Sequence, residues 1–283
     1  MTAPRQRRIP GEPITSLAEF LRELDRVHLA ISHNGEDSTW FRGQGDGSWK
    51  LRPRLYREDY EELRDYEDDI RADFDQLAWP YLKEATWEPR TSWEWYFVMQ
   101  HHGVPTRLLD WTESGLIALY FALKDALNQP KATSNPAVWA LNPFSLNRFV
   151  AHKGDVILAP TEPKASPYLP PPFGRRRLPQ RPIALMPPHK TVRIAAQQGF
   201  FTIHGASRQG LESYGSLRKH CVKIEITRAQ VTTIKEQLRV AGIAETDVFP
   251  ELDGLARELV DYYRWEQPQK KKKRPAPRSD NTR

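Results

Sequence analysis

The sequence predicts an α+β fold in which a mixed central sheet is flanked by helices. Short runs rich in aromatic and branched apolar residues predict strands, because such side chains suit a pleated, partly buried surface. Longer runs with apolar residues three and four positions apart predict helices. The 24 prolines among 283 residues indicate long Pro-rich loops between these elements. The six predicted strands are centred on Trp40, Leu108, Val138, Ile194, Phe201 and Val222.

The composition is that of a globular chain. Hydrophobic residues make up 39% of the sequence, which is enough for a sizeable core in a chain of this length. A single cysteine, Cys221, excludes an internal disulfide and a cysteine-based zinc site. No apolar run approaches the roughly 20 residues needed to span a bilayer, and the N-terminus lacks the apolar core of a signal peptide. We therefore expect a soluble cytoplasmic protein without membrane contacts.

Positive charge is concentrated at the two ends of the chain. The net charge is +6, yet the part between the ends is close to neutral. A basic tail can contact nucleic acid phosphates, although such tails also aid solubility or bind weakly and without specificity. The basic residues of this tail are Lys270, Lys271, Lys272, Lys273 and Arg274. We predict a disordered N-terminus at 1–13, one domain at 14–266 and a basic disordered tail at 267–283.

Three helices are predicted before the most polar stretch of the chain. Ser16 is placed to cap a helix whose apolar face includes Phe20. Residues 56–85 read as acidic and helical, and 93–100 as an aromatic-rich helix. The first of these apolar faces comprises Leu17, Phe20, Leu21 and Leu24, and that of 56–85 comprises Ile70, Phe74 and Leu77.

A central helix at 114–126 is apolar nearly all round and is expected to be buried, with Thr112 as its N-cap. After it come a buried strand at 137–141 and a Pro-rich irregular segment at 145–189. The rest of the domain is predicted as two strands meeting at Gly199 within 192–204, a strand at 221–226, a helix at 230–241 and a last helix ending near Trp265.

The stretch from Met99 to Thr112 carries most of the candidate chemistry. His101 and His102 end a helix that Gly103 stops, and adjacent imidazoles without further partners do not form a zinc site. Buried Arg and Asp side chains are costly unless they are paired. We therefore predict an ion pair between Arg107 and Asp110.

Arg42 has two interpretations. It lies on a short aromatic strand, and Gly43 after it leaves room for a ligand or for another backbone. Its guanidinium suits a phosphate clamp. It equally suits an ion pair with Asp110 or another carboxylate that braces the core. Both interpretations stay open at the level of sequence.

Separate blocks of the sequence resemble the FRG domain, named after its Phe-Arg-Gly motif. They span about residues 15 to 265. The resemblance implies a setting in which bacterial and phage members are suspected of toxin or anti-phage defence roles. The blocks are 40–44, 102–112 with 118–122, 193–204 and the closing block 249–255.

The order of three polar positions is also similar to ADP-ribosyltransferases of the Arg-Ser-Glu type. Arg42 stands on a strand, Thr112 precedes the central helix, and Gln197 or Gln198 stands where that family has its catalytic Glu. The resemblance implies an ADP-ribosyltransferase-like fold and NAD as ligand, its phosphates and nicotinamide ribose held by the Arg and the hydroxyl. A Gln supplies no carboxylate. Either a nearby residue substitutes for it, namely His101, His102 or Asp110, or the pocket binds a nucleotide without turning it over.

The function predicted from these features is a nucleotide-binding pocket, with NAD and no metal, in an ADP-ribosyltransferase-like toxin or defence effector. The alternative is a nucleic-acid-associated or protein-interaction module without catalysis. The expected catalytic residues are Arg42, His102, Asp110 and Gln197, and the expected ligand-binding residues are Phe41, Gly43, Gln44, Arg107, Trp111, Thr112 and His204. Six of them are predicted to converge on one pocket, namely Arg42, His102, Arg107, Asp110, Thr112 and Gln197.

Overall fold

The structure of the protein is a computed structural model. It describes residues 11–32, 38–82, 88–169, 177–187 and 196–273, with side chains up to Arg264. The predicted strand at Ile194 and most of the predicted N-terminal tail lie outside the described residues.

Six strands of the described chain form one sheet in the order β4-β5-β2-β1-β3-β6. All pairings between these strands are antiparallel, so the prediction of a mixed sheet is wrong. Residue pattern locates a strand but does not encode the direction in which its neighbour returns to the sheet. The strands are β1 Trp40–Gln44, β2 Leu108–Thr112, β3 Ala137–Leu141, β4 Ile183–Leu185, β5 Gly199–Ile203 and β6 Cys221–Glu225.

Strand β4 arises inside the segment that the sequence predicted to be irregular. It has only three residues and pairs with β5, with Ala184 opposite Thr202. Three residues are too few to show the alternation that identifies a strand. The other five described strands lie where the sequence predicts them.

Helices cover both faces of the sheet. The α-helices are α1 Leu17–Ile31, α2 Glu67–Leu77, α3 Ser92–His101, α4 Gly115–Leu127, α5 Pro143–Ser145, α6 Val231–Val240, α7 Glu245–Val248 and α8 Leu252–Lys273. Leu146–Val150 continues α5 as a π-helix. The 3-10 turns are Arg54–Tyr56, Glu58–Tyr66, Trp79–Tyr81, Ser166–Tyr168, Leu211–Ser213, Gly215–Leu217 and Arg228–Gln230.

Two helical predictions need correction. Residues 56–85 are not one helix, because 3-10 turns precede and follow α2, and Leu77 of the expected apolar face is 65% exposed. Helix α8 continues to Lys273 and does not end near Trp265. Gln and Lys are good helix formers, so the backbone stays helical into the segment for which we predict disorder. Residues 274–283 lie outside the described residues.

The central helix α4 anchors the fold, as its apolar sequence predicts. It packs across one face of the sheet against β1, and Ala118, Leu119, Ala122 and Leu123 are fully buried in the main core cluster. Helices α1 and α6 complete this layer through residues such as Phe20 and Ile234. No helix in the described residues is long and apolar enough to cross a membrane.

Candidate functional site

Strands β1 and β2 lie side by side at the centre of the sheet and diverge on either side of one residue pair. We call this divergence the fork. Phe41 lies opposite Thr112, and this is the single residue pair recorded between the two strands. Beyond it β1 stays paired with β3 and β2 with β5. The Arg42 guanidinium bridges the fork, since its Nη1 donates to the main-chain oxygen of Asp110 at 2.7 Å. A side chain thus replaces the missing ladder bonds, and a cleft opens between the strands.

The cleft has a volume of about 240 Å³ and combines an aromatic wall with polar groups. Of the residues predicted to converge, it brings together Arg42, Asp110, Thr112 and Gln197. The aromatic residues that line it are Phe41, Phe97, Phe121, Phe200 and Phe201. Whether these residues bind a ligand stays a prediction.

Arg42 is the most constrained charge in the cleft. Its side chain is only 16% exposed, and its Nε is buried without a hydrogen-bond partner among the described residues. Desolvation lowers the pKa of Arg42, and the charges of Asp110 and Asp125 oppose this shift. A buried donor without a partner costs about 1–3 kcal/mol. Arg42 lines the cleft and keeps one hydrogen-bond donor that the described residues do not use.

Asp110 is held by two neighbours. Nε2 of Gln100 donates to both carboxylate oxygens, at 3.0 and 2.9 Å, and Oε1 of Gln100 accepts from the Thr106 hydroxyl at 2.5 Å. Arg42 Nη1 lies 3.6 Å from one carboxylate oxygen. Arg42 therefore does pair with Asp110, as the bracing interpretation expects, yet that pair leaves Nε of the guanidinium unpaired and the carboxylate 56% exposed.

Arg107 does not pair with Asp110, so this prediction is wrong. Arg107 and Asp110 are three positions apart on an extended chain, which sends their side chains to opposite faces. Nε of Arg107 donates to the Glu67 carboxylate at 2.9 and 2.8 Å. Its Nη1 and Nη2 donate to the main-chain oxygens of His204 and Tyr168, at 2.8 and 2.5 Å.

The buried ion pair with Glu67 makes Arg107 a structural residue. Burial alone would lower the pKa of Arg107, but the Glu67 carboxylate outweighs it and the pKa is raised. Glu67 belongs to the acidic helical region, in which the sequence shows many carboxylates of equal appearance. Removing Asp110 would leave this pair intact.

Three further residues of the predicted site, His102, Gln44 and His204, lie away from the cleft. His102 lines a separate groove beside Ile70 and Phe74, and His101 lines the cleft in its place. Gln44 is buried and accepts from the indole of Trp139 at 2.8 Å.

His204 is fully buried and lies edge-on to the Tyr56 ring, 6.1 Å between ring centres. Desolvation, followed by the positive charges of Arg107 and Arg52, lowers the pKa of His204 to about 3. A neutral imidazole at this depth does not reach a ligand in the cleft. Its assignment as a ligand-binding residue is therefore not supported by its position.

The predicted N-cap of α4 also needs correction. Ser114, not Thr112, is the N-cap, because its hydroxyl accepts from the Ile117 amide at 3.3 Å. The Thr112 hydroxyl accepts from the Ser114 amide at 3.0 Å, so that amide is not free for a phosphate. The Trp111 indole donates to the Thr202 hydroxyl at 3.1 Å, and Trp111 is one of the residues that line the cleft.

The sequence interpretation missed Gln100 and Asp125 as residues of the cleft. Asp125 lies on α4, and desolvation raises its pKa while Arg42 opposes the rise. The available signal was a carboxylate on a helix whose other residues, apart from Lys124, are apolar. Within the described ranges, no group of three or more His, Cys, Asp or Glu side chains is arranged to hold a metal ion.

The fold and the cleft define an α+β protein with a charged fork at the centre of an antiparallel sheet. Residues 37–131, which include β1, β2 and α4, match the FRG domain family. Neither the curated proteins nor the solved structures compared with the chain gave a match.

Proposed function

We propose that the β1–β2 cleft binds a nucleotide and that NAD is this nucleotide. The observation that carries the proposal is the buried Arg42 guanidinium, which holds the fork and still has an unpaired Nε. Guanidinium groups favour phosphate because they offer several donors in a rigid plane. The resemblance to ADP-ribosyltransferases also implies that Arg42 holds the phosphates of NAD.

The aromatic wall supports a ligand that also has a flat ring. Phe97 and Phe201 stack with 5.1 Å between their ring centres, and Phe121 of α4 also lines the cleft. Aromatic surfaces of this kind favour bases and nicotinamide through stacking. Arg42 and the aromatic wall line the same cleft, as a nucleotide with a charged and an aromatic part requires.

Asp110 is the residue we assign to the carboxylate role that Gln197 cannot fill. Cleavage of the bond between nicotinamide and ribose builds positive charge on the ribose, and a preorganised carboxylate stabilises such charge. Gln100 orients Asp110, whereas the Gln197 amide already donates to the Val248 oxygen at 3.1 Å. In this proposal the protein is a cytoplasmic NAD-consuming effector with a toxin or anti-phage defence role.

Replacement of Arg42 tests the proposal. In titration calorimetry with NAD, Arg42→Ala should weaken binding by about 10- to 100-fold, the loss of a charge-assisted hydrogen bond. Arg42→Lys should recover only part of the NAD affinity, because an ammonium group lacks the planar arrangement of donors that a guanidinium has. Arg26→Ala is the matched control, since Arg26 pairs with Glu23 on the surface of α1.

Melting temperatures of all variants separate lost binding from lost folding. Chromatography of free nicotinamide after incubation with NAD tests turnover by the wild type. The proposal is wrong if wild-type protein neither binds NAD nor releases nicotinamide, or if Arg42→Ala binds NAD as the Arg26→Ala control does.

A further inference from the structure

We propose that a second cavity, on the other side of the Arg42–Asp110 contact, is a subsite for an additional phosphate group of the bound nucleotide. We call it the arginine cavity, since Arg42, Arg54 and Arg57 line its wall. Its volume is about 190 Å³. The inference rests on the proposed function, and it adds a preference for nucleotides that carry one more phosphate group besides the phosphates met by Arg42.

The charge balance of the arginine cavity favours an anion. Three guanidinium groups line it, and Asp110 is the one carboxylate among the residues that form its wall. That carboxylate is already shared between Arg42 and Gln100. Like charges in a partly desolvated space repel, and the repulsion falls when an anion enters.

Arg57 has the donors that such an anion needs. Its guanidinium makes no hydrogen bond or ion pair with any part of the chain that the structure describes. Arg57 and Arg42 line the same cavity, and desolvation and then the positive charge of Arg42 lower the pKa of Arg57, while Asp110 opposes this shift. An arginine remains charged under these conditions. Arg57 is therefore available as a phosphate ligand.

Arg54 is fixed in place beside it. Nε of Arg54 donates to the Tyr60 hydroxyl at 2.7 Å, and Nη1 donates to the main-chain oxygen of Gly103 at 2.9 Å. The guanidinium also lies over the Tyr60 ring, 4.9 Å from its centre. These contacts leave Nη2 without a hydrogen bond among the described residues. The subsite thus has one preorganised and one adaptable arginine.

The arginine cavity adjoins the cleft. Arg42, Gln100 and Asp110 line both spaces. A ligand whose ring occupies the aromatic wall and whose diphosphate meets Arg42 can therefore extend a further phosphate past Asp110. Two sources of such a phosphate exist, the 2′-phosphate of NADP and the terminal phosphate of ATP.

The test compares ligand pairs that differ by one phosphate. Affinities of NADP against NAD, and of ATP against ADP, are measured by calorimetry for wild type, Arg57→Ala and the Arg26→Ala control. We expect one of the two phosphorylated ligands to bind wild type about 10-fold or more tighter than its partner. Arg57→Ala should reduce that ratio to near one while the affinity for the less phosphorylated partner changes less than about 2-fold.

The outcomes separate this inference from the proposed function. If wild type shows ratios near one for both pairs, or if Arg57→Ala leaves the ratio unchanged, the subsite is absent even where NAD binds. Inorganic tripolyphosphate provides the complementary measurement. If it binds in an Arg57-dependent way while no nucleotide binds, the anion subsite stands and the nucleotide proposal fails. Arg57→Lys should keep part of the ratio, because it retains the charge.

Discussion

The His204 imidazole shows how a single buried side chain links stability to pH. Its two ring nitrogens have no hydrogen-bond partner among the described residues, and it lies near the positive charge of Arg107. Desolvation, with the nearby arginine charges, lowers its pKa to about 3, whereas an exposed histidine titrates near pH 6.5. The folded state therefore binds fewer protons than the unfolded state between these two values.

We predict that the free energy of unfolding falls as the pH drops from about 6.5 toward 3. His204 alone contributes a slope of about 1.4 kcal/mol per pH unit, because only the unfolded chain is protonated at this position. His204→Leu should remove that slope at little cost at pH 7, since both nitrogens lack partners. Urea unfolding at pH 7, 6, 5 and 4 measures it.

His102→Leu serves as the control, because His102 is exposed at the surface. Its unfolding free energy should keep the wild-type slope with pH. Equal slopes for His204→Leu and wild type would show that His204 is accessible to protons in the folded state.

Residue type and order were enough to place Arg42, Asp110, Thr112 and Gln197 near one another. They were not enough to choose ionic partners. The partner of Arg107 lies 40 positions away, at Glu67. The argument that buried charges must be paired holds for Arg107, but it cannot select one of many carboxylates without the strand geometry.

At the scale of elements, the contact between β1 and α4 is a backbone contact. Gly43 faces the helix, and a Cβ atom on it would lie 2.0 Å from the Ala118 oxygen and 2.5 Å from the Ala122 nitrogen. The sequence predicted that Gly43 admits a ligand or another backbone. The structure shows that the backbone of α4 occupies this space.

We predict that Gly43→Ala destabilises the domain by about 1–3 kcal/mol, because an added methyl group forces α4 away from β1. The clash is with main-chain atoms, which a side-chain rotation cannot relieve. Gly215→Ala is the control, as a Cβ atom there has nothing within 4 Å. Urea unfolding compares the two variants, and equal stability would show that α4 is not held against Gly43.

The positions of helices and strands could be predicted from the sequence more readily than the pairing between strands. Five of the described strands and the central helix could be located because their apolar runs are long enough to show a period. Strand β4 was too short for this. The fork between β1 and β2 depends on long-range pairing, and no local pattern reports it.

At the scale of the whole molecule, charge is divided unevenly. Residues 268–283 include seven Lys or Arg and one Asp, so the rest of the sequence has a formal net charge of zero. The whole excess of +6 therefore belongs to these last 16 residues. Long-range attraction to a polyanion must depend on them, whereas binding in the cleft depends on local charges.

We predict that deletion of residues 268–283 abolishes the salt-dependent binding of the chain to DNA or RNA and leaves NAD affinity unchanged. For duplex DNA, the logarithm of the binding constant should fall with the logarithm of salt concentration by about 0.9 for each phosphate neutralised. Fluorescence anisotropy with labelled duplex and single-stranded probes at several salt concentrations measures this slope.

A variant with the four residues Lys270, Lys271, Lys272 and Lys273 changed to Gln keeps the length of the tail and should reduce the slope, because fewer counterions are released. If the deleted and full-length chains bind nucleic acid with the same slope, the contact lies on the folded domain, and the basic tail serves only solubility.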